Sequence, residues 1–186
     1  MPKRIVIVGG VALGPKAACR CKRLDPEAQV TLLDENPLIS YGGCGIPFYI
    51  SGEINNIDDL RSTNYQVIRD ADFFARMKVV TVRTQTRALS IDRVGKTVRV
   101  RDLRSGREED LPYDKLVLAT GARPRIPPLA GQDLSGVYAV TRLEAAMTIR
   151  KACETGKVND AVIVGGGFIG LECAVALADM WVKKIK

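Results

Sequence analysis

A pattern that occurs twice constrains the fold of this chain more than any other feature. Arg4–Val8 (RIVIV) is a β-branched run without a polar break, and it leads into the glycine turn GGVALG at residues 9–14. Residues 161–164 (AVIV) lead in the same way into GGGFIG at residues 165–170. Short apolar runs of this kind suit strands buried on both faces of a parallel sheet. After the first turn, residues from about 15 to 24 read as a helix that ends near Asp25-Pro26. Residues 30–33 form the next strand, which stops at Asp34-Glu35-Asn36-Pro37. After the second turn, residues 168–180 read as a helix, and the following strand is incomplete at Lys186. Strand, tight turn and helix in this order build parallel α/β units. A length of 186 residues allows one good core or two small ones.

Between the two copies the pattern changes. A polar stretch runs to about Thr63, and a helix is expected over residues 70–78 with Phe73, Phe74 and Met77 on one face. Residues 79–82, 88–92 and 97–100 read as strands, with turns at Gly95-Lys96 and Ser105-Gly106, and suggest an antiparallel meander over about 79–103. Residues 116–119 form another buried strand, closed by Thr120-Gly121. Pro124, Pro127 and Pro128 stiffen a connection that serves as a domain boundary. Thr141-Arg142-Leu143-Glu144 has the form of a capping box opening a helix to about Glu154. The expected division is therefore 1–123, a linker at 124–140, and a second domain begun at 141–186.

Composition narrows the function classes. Net charge is +7, but Lys and Arg are dispersed, aromatic residues are few and no nucleic-acid motif is present. Nucleic acid is not the expected partner, and the positive charge is available to an anionic ligand. Mean hydropathy is +0.01 and the longest apolar runs are strand-sized, so no membrane partner is expected. Met1-Pro2-Lys3-Arg4 leaves no room for a signal-peptide apolar region, and five cysteines without scaffold spacing fit a reducing cytoplasm. The absence of histidine removes a His base, a His-assisted thiolate and any His-ligated metal from this chain, and no cluster has metal-ligand spacing.

The chemistry concentrates at three places. In a GxGxxG turn the first glycine makes the bend, the second admits a pyrophosphate, and the third lets the helix pack on the strand. Residues 9–14 follow this pattern with Val11 in the middle position, and Asp34 stands 20 residues after Gly14, where an acid binds a ribose hydroxyl. Residues 165–170 carry all three glycines. Two such turns imply two dinucleotides, and the natural pair is a flavin and a nicotinamide. The ribose-reading residue of the second would follow the next strand, beyond Lys186. The third place is Ser40-Tyr41-Gly42-Gly43-Cys44-Gly45-Ile46-Pro47. A thiol there can exchange electrons with a flavin, but Pro47 occupies the position of a CxxC partner. Cys44 would cycle instead through a mixed disulfide with a small thiol, a persulfide or a sulfenic acid. A helix start near Pro47 favours the thiolate. A packed cysteine beneath a turn is the competing reading. Cys19 and Cys21 fall on different helix faces, and Cys153 and Cys173 read as packing residues.

Taken together, these residues resemble the flavin- and pyridine-nucleotide-dependent disulfide oxidoreductases. Within them the chain looks like the single-cysteine branch of coenzyme A-disulfide reductases, NAD(P)H persulfide or polysulfide reductases, and NADH oxidases and peroxidases. The most specific marks are the Cys44 loop and residues 113–124 (YDKLVLATGARP), similar to the family's flavin-binding "ATG" motif. The resemblance implies an α/β fold: a Rossmann-like FAD-binding domain with an antiparallel β-meander, plus the start of a second, NAD(P)-binding Rossmann-like domain. It implies that Gly9, Gly10, Val11, Ala12 and Gly14 line the FAD pyrophosphate, and that Asp34 and Glu35 hold the adenosine ribose. The backbone near Ala88 would meet the adenine. Ala119, Thr120 and Gly121 would close on the flavin, with Gly43 and Ser40 beside it. Cys44 would face the isoalloxazine as the redox thiol. Gly165, Gly167, Ile169, Gly170 and Glu172 would belong to the NAD(P)H site, and Arg20, Arg23 and Ser40 to a coenzyme A-like substrate.

The chain departs from that family in three ways. Ala12 stands where oxidase and peroxidase relatives carry a histidine. The C-terminal "GD" motif is absent, and so is the C-terminal dimerisation domain of a family that acts as homodimers. The expected activity is transfer of electrons from NAD(P)H through FAD to Cys44, which reduces a disulfide or persulfide of a small thiol. The alternatives are an NADH oxidase or peroxidase working through a sulfenic acid, and a non-catalytic, truncated flavin-binding module. A fragment without turnover of its own is the expectation for these 186 residues.

Overall fold

The computed structural model describes residues 1–186. The chain packs as two units, one formed by Met1–Tyr41 with Arg61–Ala122 and the other by Gly42–Leu60 with Arg123–Lys186. The expected division near residue 123 assigned residues 42–60 to the first domain, whereas here they pack with the second unit.

The first unit is built on a parallel sheet. β1 (Arg4–Val8) pairs on one side with β2 (Gln29–Leu33), which pairs with β3 (Thr81–Arg83), and on the other side with β7 (Lys115–Leu118). Helix α1 (Leu13–Leu24) joins β1 to β2, and α3 (Ala71–Lys78) precedes β3. Successive residues of a strand point to opposite faces, and both faces are covered here. Ile5, Ile7, Val30 and Leu32 pack with Ala18 of α1 and Phe74 of α3. Val6 and Leu33 pack with Val98 and Val100 of the meander and with Tyr113, which directly follows it. This two-sided burial is why RIVIV carries no polar residue in its middle.

The meander consists of β4 (Thr86–Asp92), β5 (Thr97–Asp102) and β6 (Glu108–Pro112), antiparallel throughout. It runs over 86–112, not 79–103, and the first of the three strands expected in it belongs elsewhere. Val79 closes α3 at a left-handed φ of 54°, Val80 is buried beneath that helix, and β3 joins the parallel sheet. The third meander strand, EEDLP, reads poorly as a strand because Glu, Asp and Pro are depleted there. Cross-strand ion pairs compensate: Arg99 with Glu108 and Asp110 at 3.3 and 2.9 Å, and Arg101 with Glu108 at 2.5 Å. Phe74 is buried and Phe73 packs beside it, whereas Met77 points to solvent, so the apolar face of α3 is narrower than expected.

In the second unit, α2 (Ile46–Ser51) packs against α4 (Leu143–Glu154) and α5 (Phe168–Asp179). Short 3₁₀ turns flank α2 at Gly43–Gly45 and Ile57–Arg61, in what reads from sequence as a polar loop. The strand expected at 161–164 is only β8 (Asp160–Ala161), paired in parallel with β9 (Lys184–Ile185). Val162 and Val164 are exposed, since they have no second neighbour to pack on. The capping box is not realised: α4 starts one residue late with Arg142 at its N-cap, and no side chain caps it. Residues 121–138 are exposed throughout. No helix is long and apolar enough to cross a membrane.

Candidate functional site

The carboxyl edge of the first sheet gathers most of the predicted residues. In open α/β sheets, ligands bind at that edge where the strand order reverses, and here β1 lies between β2 and β7. Gly9 takes φ 110°, and a Cβ on it would fall 2.1 Å from the carbonyl oxygen of Ala119 at the end of β7. A Cβ on Gly14 would fall 1.8 Å from the carbonyl oxygen of Gly9. These two positions are therefore closed to any other residue.

Asp34, buried at the end of β2, accepts a hydrogen bond from the Gly10 amide at 2.6 Å through Oδ2. Its Oδ1 accepts from the Asn36 amide at 2.8 Å and from Asn36 Nδ2 at 3.0 Å. Asp34 thus binds the turn to the second strand. Its Oδ2 retains a lone pair for a further donor such as a ribose hydroxyl. The Ser40 amide donates to the Gly10 carbonyl at 2.8 Å, and Ser40, also buried, sits at φ 55°.

Helix α1 opens directly out of this turn. Ala12 at its N-cap makes no side-chain bond, and its first turn carries no acid. Its leading amides are left without a protein side chain, which suits a pyrophosphate. Helix α3 is the contrast: there the Asp70 carboxylate accepts from the Phe73 amide at 2.8 Å. A dinucleotide such as FAD fits the turn on these grounds.

The other predicted residues differ in how near they come to this cluster. Glu35 is engaged with Arg87, whose Nε donates to its carboxylate at 2.9 Å. The Thr86 amide donates to the Asp34 carbonyl at 2.8 Å, which brings the start of β4, and with it Ala88, alongside. Ala119 contacts the turn, and exposed Thr120 and Gly121 (φ 68°) follow it. Arg20 and Arg23 are exposed on the far half of α1, Arg20 about 10 Å along the axis from its start. They are not brought to the turn.

The second turn repeats the skeleton of the first. Gly165 takes φ 115°, and a Cβ on Gly170 would fall 2.0 Å from the Gly165 carbonyl oxygen. Gly167 is the N-cap of α5, without a side-chain bond or an acid in the first turn, and a Cβ there would meet open space. Ile169 and Glu172 are exposed on the first two turns of α5.

Cys44 lies in the 3₁₀ turn that opens α2, and it is exposed. The Gly42 amide donates to the Leu60 carbonyl at 2.8 Å, and the Gly45 amide to the Gly42 carbonyl at 3.0 Å. A Cβ on Gly45 would press within 2.2 Å of the Leu60 side chain, whereas Gly43 faces open space. Cys153 and Cys173 are buried. Burial, reinforced by Glu154 and Glu172 respectively, pushes both thiols up, so they stay protonated. A packed cysteine is thus the reading that suits these two and not Cys44.

Asn36, Arg87 and Arg150 carry contacts that the sequence reading did not assign. Asn36 was accessible in principle, since Asp-Glu-Asn-Pro after a strand signals a side-chain-stabilised turn. The partner of Arg87 is 52 residues away, and the carbonyls that Arg150 reaches are at least 95 away, so no local pattern announces these contacts.

Residues 3–185 match the family model described as pyridine nucleotide-disulphide oxidoreductase. An NAD(P)H coenzyme A polysulfide/persulfide reductase of Pyrococcus horikoshii is 34% identical over 96% of this chain and 38% of its own length. An NADH oxidase of Methanocaldococcus jannaschii is 32% identical over 94% of this chain and 37% of its own length. Among solved structures, an NAD-dependent persulfide reductase from A. fulgidus superposes with a TM-score of 0.94 at 41% identity, covering 98% of this chain and 33% of that one. The chain thus spans between 33% and 38% of the length of these relatives. A family-model match across residues 3–185 places the chain in the pyridine nucleotide-disulphide oxidoreductase family.

Proposed function

We propose that this chain belongs to a cytoplasmic, homodimeric FAD enzyme that passes electrons from NAD(P)H to Cys44, which reduces a disulfide or persulfide of a small, coenzyme A-like thiol. The carrying observation is the contrast among cysteines: Cys44 is exposed on a glycine turn, and Cys153 and Cys173 are buried and held protonated. The names of the relatives from P. horikoshii and A. fulgidus support the substrate class.

On this reading the turn at Gly9, Gly10, Val11, Ala12 and Gly14 holds the FAD pyrophosphate, Asp34 the ribose, and Thr120-Gly121 the flavin end. The turn at Gly165, Gly167 and Gly170 holds the nicotinamide dinucleotide. FAD, when bound, supplies two-electron chemistry between nicotinamide and sulfur. The Cys44 thiolate attacks one sulfur of the substrate disulfide, forming a mixed disulfide and releasing the other half as a thiolate. Two electrons and a proton then return the Cys44 thiolate and free the second thiol. Arg20 and Arg23, exposed with Lys16 along one stripe of α1, offer positive charge to the phosphates of such a substrate.

Cys44→Ser in the flavin-loaded protein is expected to lower NAD(P)H-dependent reduction of coenzyme A disulfide or persulfide by about 100-fold or more. Cys19→Ser and Cys173→Ser should leave turnover nearly unchanged. A Cys44→Ser protein that turns over like wild type refutes the assignment. The similarity to the M. jannaschii NADH oxidase favours one second reading, reduction of oxygen or peroxide through a Cys44 sulfenic acid. NADH consumption with oxygen as sole acceptor, faster than with any disulfide, would establish it.

A further inference from the structure

Helix α2 has six residues and carries the Cys44 turn on its N-terminal side. So short a helix cannot hold itself in place, because the last four of its carbonyls have no i+4 amide within it, and beyond its end only the Gly52 and Ile54 amides reach back, to Tyr49 and Phe48. Ile46 and Ile50 anchor its apolar side. Its C-terminal end is held by a charge from another element. Arg150 of α4 donates through Nη1 to the carbonyls of Tyr49 at 3.1 Å, Ile54 at 2.7 Å and Asn55 at 3.3 Å. Its Nε donates to Glu154 at 2.7 Å, and its guanidinium lies over the Tyr49 ring, 4.7 Å from the centroid.

The Arg150 side chain is only 13% exposed. Desolvating a guanidinium is costly unless its donors are used, and here Nη1 is spent on the backbone that follows Cys44 while Nε holds Glu154. Arg76, by contrast, reaches its own helix partner while 81% exposed. The arrangement therefore does more than stabilise α4. At the other end, the Gly42 amide and Gly45 fix the thiol turn against Leu60.

We propose that Arg150 is a positioning residue for Cys44: by fastening the C-terminal end of α2 to α4, it sets where the thiol turn at the other end is presented. Its functional part rests on the reading of Cys44 as the redox thiol. A lysine ammonium can reach one of these carbonyls but cannot also hold Glu154 through a second nitrogen and lay a flat face on the Tyr49 ring, so it keeps only part of the contact set. Displacements of about 1 Å at a reacting group can cost on the order of 100-fold in rate.

The test uses the flavin-loaded enzyme to which this chain belongs, with Arg150→Gln and Arg150→Lys. Amide hydrogen exchange over residues 42–52 is expected to speed up about 10-fold in the glutamine variant and less in the lysine variant. Turnover should fall in step, about 10-fold and about 3-fold, with the KM for NAD(P)H within about 2-fold of wild type. Buried Cys153 and Cys173 report integrity, since they become alkylated only if the unit opens. If the glutamine variant opens it, the lysine variant decides by the same criterion. Unchanged exchange over 42–52, or faster exchange with wild-type kcat, overturns the proposal. Cys44→Ser separates the two readings: wild-type turnover there removes the redox thiol and leaves the exchange result standing.

Discussion

Gly9 and Gly165 adopt nearly the same backbone, φ 110° and 115°, and each is met five residues later by a glycine whose Cβ would strike its carbonyl oxygen. Their surroundings differ. Gly9 is also pressed against Ala119 at the end of β7, while a Cβ on Gly165 would meet nothing within 4 Å. The helices differ in parallel. α1 buries one stripe against the sheet and shows Lys16, Arg20 and Arg23 to solvent. α5 is apolar nearly all round and leaves Phe168 87% and Val175 63% exposed. The turn itself is thus encoded locally, by the glycine spacing. How tightly it is enclosed depends on strands contributed by distant sequence.

Substitutions can break this comparison. Gly14→Val has the largest expected effect, because its side chain must occupy the space of a backbone oxygen that cannot move aside. A loss of more than about 3 kcal/mol of stability is expected in urea unfolding followed by circular dichroism. The fold of the first unit would fail before any pyrophosphate contact was lost. A Gly14→Val protein as stable as wild type would refute the geometry.

Gly9→Ala against Gly165→Ala isolates the enclosure. Both suffer the backbone strain of a positive φ, about 1–3 kcal/mol. Only Gly9→Ala adds the clash with Ala119, so it should be the less stable of the two by about a further 1–3 kcal/mol. Equal losses would mean that the strand end does not confine the first turn.

Gly167→Ala is expected to change stability by less than about 0.5 kcal/mol, since its φ of −79° is ordinary and its surroundings are open. On the proposed function it raises the KM for NAD(P)H several-fold, with flavin absorbance unchanged. Loss of flavin from this variant would exchange the assignments of the two turns.

The smallest effect concerns the amino edge of the first sheet. The Arg4 side chain and amide hydrogen-bond Asp114 and hold its carboxyl down at about 2, against an ordinary value of 3.8. The folded form therefore binds that proton less readily than the unfolded chain. The pair's contribution is complete above about 4 and is lost as pH falls toward about 2. Asp114→Asn should flatten the acid limb of the stability curve and be nearly silent in high salt.

The first unit was largely legible. Arg4–Val8 matches β1 residue for residue, and Asp34, expected to read a ribose, stands at the end of β2, where its carboxylate also accepts from the Gly10 amide, a contact the sequence did not announce. Two kinds of information were not local. Val79 reads as strand by its side chain, but the end of α3 requires a left-handed residue there and takes it. Glu108–Pro112 lies beyond the expected end of the meander, yet it forms a strand on which Arg99 of β5 pairs with Glu108 and Asp110. The candidate site divides the same way. Glycine spacing and Cys44 are visible in the sequence, whereas Arg87 on Glu35 and Arg150 on the α2 carbonyls depend on chain packing.

The division of the chain has a consequence for its synthesis. Residues 42–60 belong to the second unit but are made between two segments of the first. Emerging from the ribosome, the first unit has all its strands once β7 is out. The Cys44 segment must then wait, tethered at both ends as a loop, until α4 and α5 follow some 80 residues and more behind it. Closing contacts across such separations is entropically slow, so the thiol turn and α2 find their partners only after the strands of the first unit are complete. Proteolysis at the exposed 121–138 connection also cannot release the second unit whole, because a cut there leaves α2 covalently attached to the first.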